Sequence, residues 1–164
     1  MVFPYYKKLS RNQKRIYLES DRITAIRLPS GHRLKPLVLE LSRILKTEDR
    51  EKTEALCQQF ATGLTELLEV PPVQIRVFAK RPSSDWGELH GLYEPNDPPV
   101  LSRITVWMRT AQRRQVVAFR TFLRTLLHEL CHHLDYELFK LPETFHTEGF
   151  YKRESSLLHQ LLDQ

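Results

Sequence analysis

Apolar residues recur every three or four positions in two consecutive stretches of the first half of the chain. Residues Leu34–Lys46 carry apolar side chains at positions 34, 37, 38, 41, 44 and 45, which is the spacing of an amphipathic helix. Residues Thr47–Glu69 repeat this period, are acidic near their start, and are followed by Pro71 and Pro72, which end a helix. We therefore expect a helical pair, preceded by a polar N-terminal arm.

The pattern then changes to an alternation of apolar and polar residues, which is typical of half-buried strands. Val73–Ala79 reads VQIRVFA, and Arg103–Arg109 reads RITVWMR. A third segment, Trp86–Tyr93, lies between stretches rich in turn residues. These segments predict a small three-stranded, mainly antiparallel sheet.

The helical period returns in the last third of the chain. It runs from about Arg113 to Leu138, and a loop near Pro142 then leads to a short C-terminal helix. A chain of 164 residues can form one core that buries roughly 70% of the surface of the unfolded chain. The whole pattern predicts one α+β domain spanning residues 1–164.

Composition narrows the class of protein. With 41% hydrophobic and 27% charged residues, the chain is neither disordered nor rich in membrane-spanning sequence. The N-terminus lacks the apolar run of a secretory signal, so we expect a cytoplasmic protein with no membrane partner. Cys57 and Cys131 lie in predicted helices, and we expect both to be reduced and buried.

The formal net charge of +5 raises the question of an acidic partner. Basic residues cluster at Lys7, Lys8, Arg11, Lys14 and Arg15 and again at Arg109, Arg113 and Arg114. Such clusters attract nucleic acid, but no basic run is interleaved with aromatic residues as in a single-strand binding face. A solvated surface is the favoured interpretation, and nucleic-acid binding stays as the weaker alternative.

Residues 128–132 read HELCH, an HExxH motif inside the last long helical stretch. At about 100° per residue, His128 and His132 lie about 40° apart around the helix axis and one turn apart along it, so both imidazoles can reach one ion. Glu129 lies beside this face, where its carboxylate can contact a metal-bound water. Leucines occupy the opposite side of the helix, at Leu123, Leu127, Leu130, Leu134 and Leu138.

Two histidines at this spacing suit a zinc ion that activates a water molecule. Neutral imidazoles bind zinc yet leave it electron-poor, which lowers the pKa of a bound water from ~15.7 towards 7. Glu129 would take the proton of that water and pass it to the leaving amine. The motif therefore predicts Zn²⁺ as cofactor and Glu129 as the catalytic base.

A catalytic zinc ion normally takes three protein ligands, so a third donor must follow the motif. His146 lies fourteen residues beyond His132 in FHTEGF, where Gly149 permits a tight backbone approach. Glu154 lies 22 residues beyond His132 and could project a carboxylate from the final helix. We favour His146 as the third ligand and keep Glu154 as the alternative.

Several polar residues near the motif carry weaker hypotheses. Asp135 could hydrogen-bond an imidazole, although a capping or surface role fits equally well. Tyr151 and Arg153 carry donors suited to an oxyanion formed at the attacked carbonyl. A structural role is the favoured interpretation for each of them. His133 points about 100° away from His132 and is interpreted as a supporting or surface histidine.

Three segments together resemble the zincin metallopeptidases, and among them the SprT-like proteins and minigluzincins. They are the strand RITVWMR, the helix that carries HELCHHLD, and the downstream HTEGF. The resemblance covers about one third of the chain. It implies that the strand before the active-site helix, here Arg103–Arg109, forms an edge of the cleft where an extended substrate peptide pairs. The chain departs from the metzincins, because Leu134 and Asp135 stand where their motif would continue to glycine. It also departs from the SprT-like pattern, in which a glycine directly follows the third histidine, because Thr147 and Glu148 separate His146 from Gly149.

Two functions from different classes follow. The first is a zinc metallopeptidase that hydrolyses a peptide or protein substrate with a zinc-bound water activated by Glu129. The second is a basic nucleic-acid-associated protein whose zinc site is structural or inactive. Glu129 favours the enzyme, because a structural zinc site needs no carboxylate there and usually has four protein ligands.

Overall fold

The computed structural model describes residues 1–80, 83–84, 87–88, 91–109 and 116–163. Within these ranges the chain is α+β, with five α-helices, a small three-stranded mixed sheet and a separate antiparallel pair of two-residue strands. The helices are α1 (Arg11–Asp21), α2 (Leu34–Lys46), α3 (Arg50–Leu67), α4 (Phe119–Glu137) and α5 (Glu148–Leu162), preceded by a 3₁₀ helix at Pro4–Lys8. The strands are β1 (Val73–Lys80), β2 (Ser83–Ser84), β3 (Gly87–Glu88), β4 (Gly91–Glu94) and β5 (Ser102–Arg109). Strands β1, β5 and β4 form the mixed sheet, and β2 and β3 form the separate pair.

The N-terminal region contains a helix where the sequence predicted a polar arm. Ser10 caps α1 by accepting from the backbone N–H of Gln13, whose side chain accepts from the Ser10 N–H in return. Among the helix residues, Ile16, Tyr17 and Ser20 are buried. Most of the other residues of α1 are charged or polar, which is why the sequence was interpreted as a polar arm.

The predicted helical pair is present as α2 and α3, which pack against each other. Helix α3 begins at Arg50 rather than Thr47, because Asp49 caps it by accepting from the Lys52 N–H. Glu48, in the link between the helices, has φ of 61°. Residues 47–49, which the sequence assigned to the start of the second helix, therefore form the turn between the two helices.

The sheet has the order β1-β5-β4, which corrects the prediction of a mainly antiparallel sheet. Strand β5 is parallel to β1 and antiparallel to β4. Strand β5 inserts between two strands that precede it in the chain. The alternation of apolar and polar residues shows which face of a strand is buried, and it is the same whether the neighbouring strand is parallel or antiparallel. The same order pairs Arg103–Arg109 with a strand on each side, so its backbone has no free side for the extended peptide that the resemblance implied would pair with it.

The outer edge of β1 is closed by side chains of α3. Gln58 accepts from the Ile75 N–H and donates to the Val73 carbonyl, while Glu54 accepts from the Val77 N–H at 2.9 Å. These bonds satisfy backbone groups that an unpaired strand would expose. Among the strands that the structure describes, β4 therefore forms the open edge of this sheet.

The core lies between the sheet and the helices. Residues that share one face of β1 and β5 are buried in a single cluster with side chains of α2, α3, α4 and α5. Cys57 and Cys131 are buried and unpaired, as predicted. The leucines expected on the inner face of α4 are fully buried at Leu123, Leu127, Leu130 and Leu134, and partly buried at Leu138.

The C-terminal elements differ from the prediction in length. Helix α4 is observed from Phe119, and residues 113–115 of the predicted helix lie outside the described ranges. Helix α5 has 15 residues and begins at Glu148, because the Thr147 hydroxyl caps it by accepting from the Phe150 N–H. None of the helices described here is long and apolar enough to cross a membrane.

Candidate metal centre and its cleft

Three histidines from two elements converge on one point. His128 and His132 lie on α4, and His146 lies in the loop of residues 142–147, which we call the His146 loop. The Nε2 atom of His146 is 3.1 Å from Nε2 of His128 and 3.0 Å from Nε2 of His132. One ring nitrogen from each residue lies within 4.8 Å of the others. Two nitrogens bound to one tetrahedral zinc ion are about 3.3 Å apart, so the donor set fits a shared ion.

The remaining ring nitrogen of His128 is oriented by a carboxylate. Its Nδ1 lies 2.7 Å from Oε1 of Glu154, and Arg124 donates to the other carboxylate oxygen at 2.8 Å. Because an ionised carboxylate only accepts, the imidazole carries its proton on Nδ1 and leaves the Nε2 lone pair free. Glu154 therefore contacts the back of His128 rather than joining the three converging nitrogens.

His132 is oriented in the same sense through a hydroxyl. Its Nδ1 lies 2.8 Å from the Thr144 Oγ1, and that hydroxyl donates to Asp135 at 2.7 Å. Since its proton goes to Asp135, the Thr144 oxygen accepts from Nδ1 and again leaves Nε2 free. Asp135 therefore reaches the imidazole through Thr144 rather than directly.

Burial favours the neutral form of His132 and His146. Burial, together with the neighbouring His128 and His146, lowers the pKa of His132 to about 3. The pKa of His146 is also lowered, chiefly by burial. Neutral imidazole is the form that binds a metal ion, so the electrostatics agree with the geometry.

Residues 3–23, which we call the N-terminal anchor, hold the His146 loop in place. The Tyr5 hydroxyl donates to the His146 carbonyl at 2.8 Å, and Gln13 donates to the Glu143 carboxylate at 3.1 Å. Tyr5 also packs edge-on against Tyr17, which contacts Phe145. The third histidine is thus positioned by contacts that span more than a hundred residues of sequence.

The start of α5 is joined to the end of α1 by a hydrogen bond to the Asp21 side chain and by a close approach of the two main chains. The Gly149 N–H donates to Asp21 Oδ1 at 2.9 Å. A Cβ atom on Gly149 would lie 2.5 Å from the Asp21 carbonyl oxygen, which is closer than any real side chain approaches. Gly149 thus permits the close approach of two helices, and not the tight turn near a metal ion that the sequence predicted.

Arg153 does not line the cleft. Its side chain and that of Asp135 are both 0% exposed, and the two form an ion pair at 2.9 Å. The guanidinium also donates to the carbonyls of Ser20 and Ile23, and so ties α5 to the N-terminal anchor. These partners leave Arg153 as a buried support of the site, whereas Tyr151 lies on the cleft wall and is 41% exposed.

Glu129 lies between α4 and β4. Its side chain is 7% exposed, and burial raises its pKa to about 7, with Glu154 adding to the rise and His128 opposing it. Gly91 makes room for this carboxyl, because a Cβ there would lie 2.9 Å from Glu129 Oε2. A carboxyl group with this pKa can both accept and return a proton near neutral pH.

A cleft of about 770 Å³ opens over these groups. One wall is α4, from Arg120 to Tyr136, and the facing wall contains Gly91, Leu92 and Tyr93 of β4. His128, His132, His146 and Glu129 all line it. The histidines are therefore accessible to a ligand much larger than water.

His133 is a structural residue. It is 1% exposed, with Nδ1 at 2.9 Å from the Tyr93 hydroxyl and Nε2 at 2.8 Å from the Pro71 carbonyl. Trp107 is 9% exposed in β5. Trp86, at the start of the third predicted strand, and Arg113 and Arg114 of the second basic cluster lie outside the described residues.

Sequence reasoning missed Thr144, Arg124 and Tyr5, each of which supports the three histidines. Thr144 bonds His132, Arg124 bonds Glu154, and Tyr5 bonds the His146 carbonyl. None of these residues belongs to a motif, and their partners are distant in sequence. The i, i+4 position of Arg124 relative to His128 was the only available signal.

Comparison of this chain with protein-family models, with curated proteins and with solved structures finds no significant match.

Proposed function

We propose that this protein is a zinc-dependent peptidase of the zincin type, with His128, His132 and His146 as the metal ligands. The observation that carries the proposal is the convergence of three Nε2 atoms on one point. At His128 and His132 the Nδ1 atom donates to an oxygen, which leaves the Nε2 lone pair free to bind a metal ion. This arrangement supports a preformed metal site, because a metal-binding histidine commonly donates its other N–H to an oxygen.

The donor set also suits zinc. Three imidazoles and no thiolate are a ligand set of catalytic zinc, and the open cleft leaves room for a further ligand. A zinc ion held there would polarise a substrate carbonyl and acidify a water molecule.

Glu129 would supply the proton transfers. Its carboxyl group lines the same cleft and has its pKa raised to about 7. It would accept a proton from the attacking water and return it to the amine that leaves when the peptide bond breaks. The Glu129 side chain lies against Gly91 of β4, where there is no Cβ atom to displace it, so the base stays at the cleft.

The open edge of β4 supports a peptide as substrate. Among the described residues, Gly91–Glu94 pair with β5 alone and so have one free side, and three of them line the cleft. An extended peptide can add to such an edge through main-chain hydrogen bonds. This proposal moves the substrate-binding strand from Arg103–Arg109, which is central, to β4.

A structural zinc site in a nucleic-acid-binding protein is the competing interpretation. Such a site is normally closed by four protein ligands. The cluster found among the described residues offers three donors, opens on a cleft, and has a carboxyl group with a raised pKa beside it. These features support hydrolysis over a purely structural role.

The test combines metal content with turnover. We expect one zinc per chain by elemental analysis and hydrolysis of a denatured protein or peptide library, detected by mass spectrometry. Glu129→Gln should keep zinc and lose hydrolysis, because the amide cannot accept the proton. Glu137→Gln, on the same helix beside Lys140, is the matched control and should keep both. Undiminished turnover in Glu129→Gln would overturn the assigned base, and absence of zinc in the wild-type protein would overturn the proposal.

A further inference from the structure

The two halves of the cleft differ in chemistry. Arg120, Arg124, His128 and His132 follow one another at intervals of four residues, so they lie along one face of α4. Arg120 and Arg124 line the half before the histidines, which we call the arginine end. Tyr93, Pro95 and Tyr136 line the other half, which is aromatic and apolar.

The arginine end has an excess of positive charge. Arg120 is exposed and makes no hydrogen bond or ion pair with the residues that the structure describes. Arg124 shares one guanidinium nitrogen with Glu154 and Ser155, and its side chain is 40% exposed. Glu154 is already shared between Arg124 and His128, and Glu129 is buried. No carboxylate on the described cleft wall is therefore left to neutralise Arg120.

The direction of β4 fixes which part of a peptide reaches the arginines. Gly91 lies against Thr125 and Glu129, whereas Tyr93 contacts His132, His133 and Tyr136, so β4 and α4 run in the same direction. A peptide that adds antiparallel to β4, the more stable pairing, runs the opposite way. Its residues after the cleaved bond then extend towards the arginine end.

The distances match a short peptide. Arg124 is one helical turn before His128 and Arg120 is two turns before it, about 6 Å and 12 Å along the axis. At about 3.3 Å per residue, these positions correspond to roughly the second to the fourth residue after the cleaved bond. A guanidinium at this point can bind a carboxylate through two parallel hydrogen bonds.

We propose that the arginine end binds a carboxylate two to four residues after the cleaved bond, either an acidic side chain or the free C-terminus of the substrate. The inference rests on the proposed peptidase function and names its substrate class. With this contact the enzyme prefers substrates that carry a carboxylate on the C-terminal side of the cleaved bond, and Arg120 is the specificity-determining residue.

The test uses one cleavable peptide in four forms. Glutamate or glutamine occupies the second to fourth positions after the bond, and each version ends either in a free carboxylate or in an amide. We expect kcat/KM to be about 10-fold higher or more for the form whose carboxylate reaches the arginines, as for a hydrogen bond to a charged group. A preference for glutamate identifies an acidic side chain as the ligand, and a preference for the free acid over the amide identifies the C-terminus.

Arg120→Gln should bring the ratio of kcat/KM between acidic and neutral peptides towards one, and salt should reduce the ratio in the wild-type protein. Arg27→Gln removes the same charge at an exposed position away from the cleft and should leave the ratio unchanged. Equal cleavage of all four peptides would overturn this inference while leaving the peptidase function intact.

A binding measurement separates the two proposals if no peptide is cleaved. Zinc-loaded Glu129→Gln protein is titrated with the fluorescently labelled peptides, and affinity is read by anisotropy. A preference for the acidic peptides that Arg120→Gln removes would support the arginine end even where the hydrolase proposal fails. Equal affinity for acidic and neutral peptides would overturn it.

Discussion

Helix α4 and the His146 loop both bring histidines to the candidate metal centre, but they position them by different means. The helix presents His128 and His132 one turn apart through its own backbone geometry, within five residues of sequence. The loop places His146 through the N-terminal anchor, with the Tyr5 hydroxyl on its carbonyl and Gln13 on Glu143. Two proposed ligands that are placed locally are therefore combined with a third that depends on distant parts of the chain.

The difference teaches where the site can fail. Ligands on a helix keep their mutual geometry as long as the helix forms, whereas a ligand on a loop is correctly placed only when its supports are present. The predictions below separate these two cases by measuring zinc affinity and stability in variants of each region.

The largest effect is expected from removing a ligand. His128→Ala and His132→Ala each break the helical pair and should abolish zinc binding. His146→Ala should weaken binding by several orders of magnitude while leaving the pair as a residual site. His159→Ala, which removes an exposed histidine of α5, is the control and should bind like wild type. Zinc titration by competition with a chelator measures all four, and unchanged affinity in the first two variants would contradict the site.

Breaking the ion pair between Arg153 and Asp135 should produce the next largest effect. Arg153→Met leaves the Asp135 carboxylate buried without its cation, which costs about 3–5 kcal/mol. For a chain of this size, Tm should fall by roughly 6–20 °C. Adding Asp135→Asn should recover part of the loss, because the uncompensated charge is removed. Thermal unfolding followed by circular dichroism provides the measurement, and an equal Tm in Arg153→Met and wild type would show that the pair does not stabilise the anchor.

Removing an orienting carboxylate should cost less than removing a ligand. Glu154→Ala leaves His128 Nδ1 without its acceptor and should weaken zinc binding by about 10 to 100-fold. Ser155→Ala, beside Glu154 on α5, is the matched control. If Glu154→Ala lost as much affinity as His128→Ala while His146→Ala stayed near wild type, Glu154 would be the third ligand instead.

The smallest effect tests the loop support directly. Tyr5→Phe keeps the aromatic ring and deletes the hydrogen bond to the His146 carbonyl, worth about 0.5–1.5 kcal/mol. Zinc affinity should therefore fall by roughly 2 to 12-fold. Tyr6→Phe is the control, because the Tyr6 hydroxyl makes no hydrogen bond with the described residues. The visible spectrum of bound Co²⁺ should also change in Tyr5→Phe, which a general loss of stability would not produce. Identical spectra and affinities in the two variants would contradict a role for the anchor in placing His146.

The sequence predicted those parts of the site that depend on local geometry. HELCH on a helix places His128, Glu129 and His132 relative to one another by the helical repeat alone, and the inner leucines follow from the same period. His146 and Glu154 were both identified as donors by residue type. Which of them faces the other histidines depends on how the loop folds over α4, which spacing does not determine.

Other features depend on long-range contacts that leave no local pattern. The parallel pairing of β1 with β5 arises from the order in which strands enter the sheet, and alternation in Val73–Ala79 is the same for either direction. Helix α1 is rich in charged and polar residues, so its few buried positions did not stand out in the sequence. The path from His132 through Thr144 to Asp135 joins a loop to a helix and follows from no motif.

The close approach of Gly149 to Asp21 limits how this chain can vary. The contact is between main-chain atoms, so no rotamer change in a partner can relieve an added methyl group, and even alanine is too large at position 149. The bond between Gln13 and Glu143, by contrast, joins the ends of two flexible side chains and can be replaced by other pairs of similar reach. Anyone who transplants this scaffold or randomises it in a library should therefore leave position 149 unchanged and place diversity in the flexible pairs of the anchor.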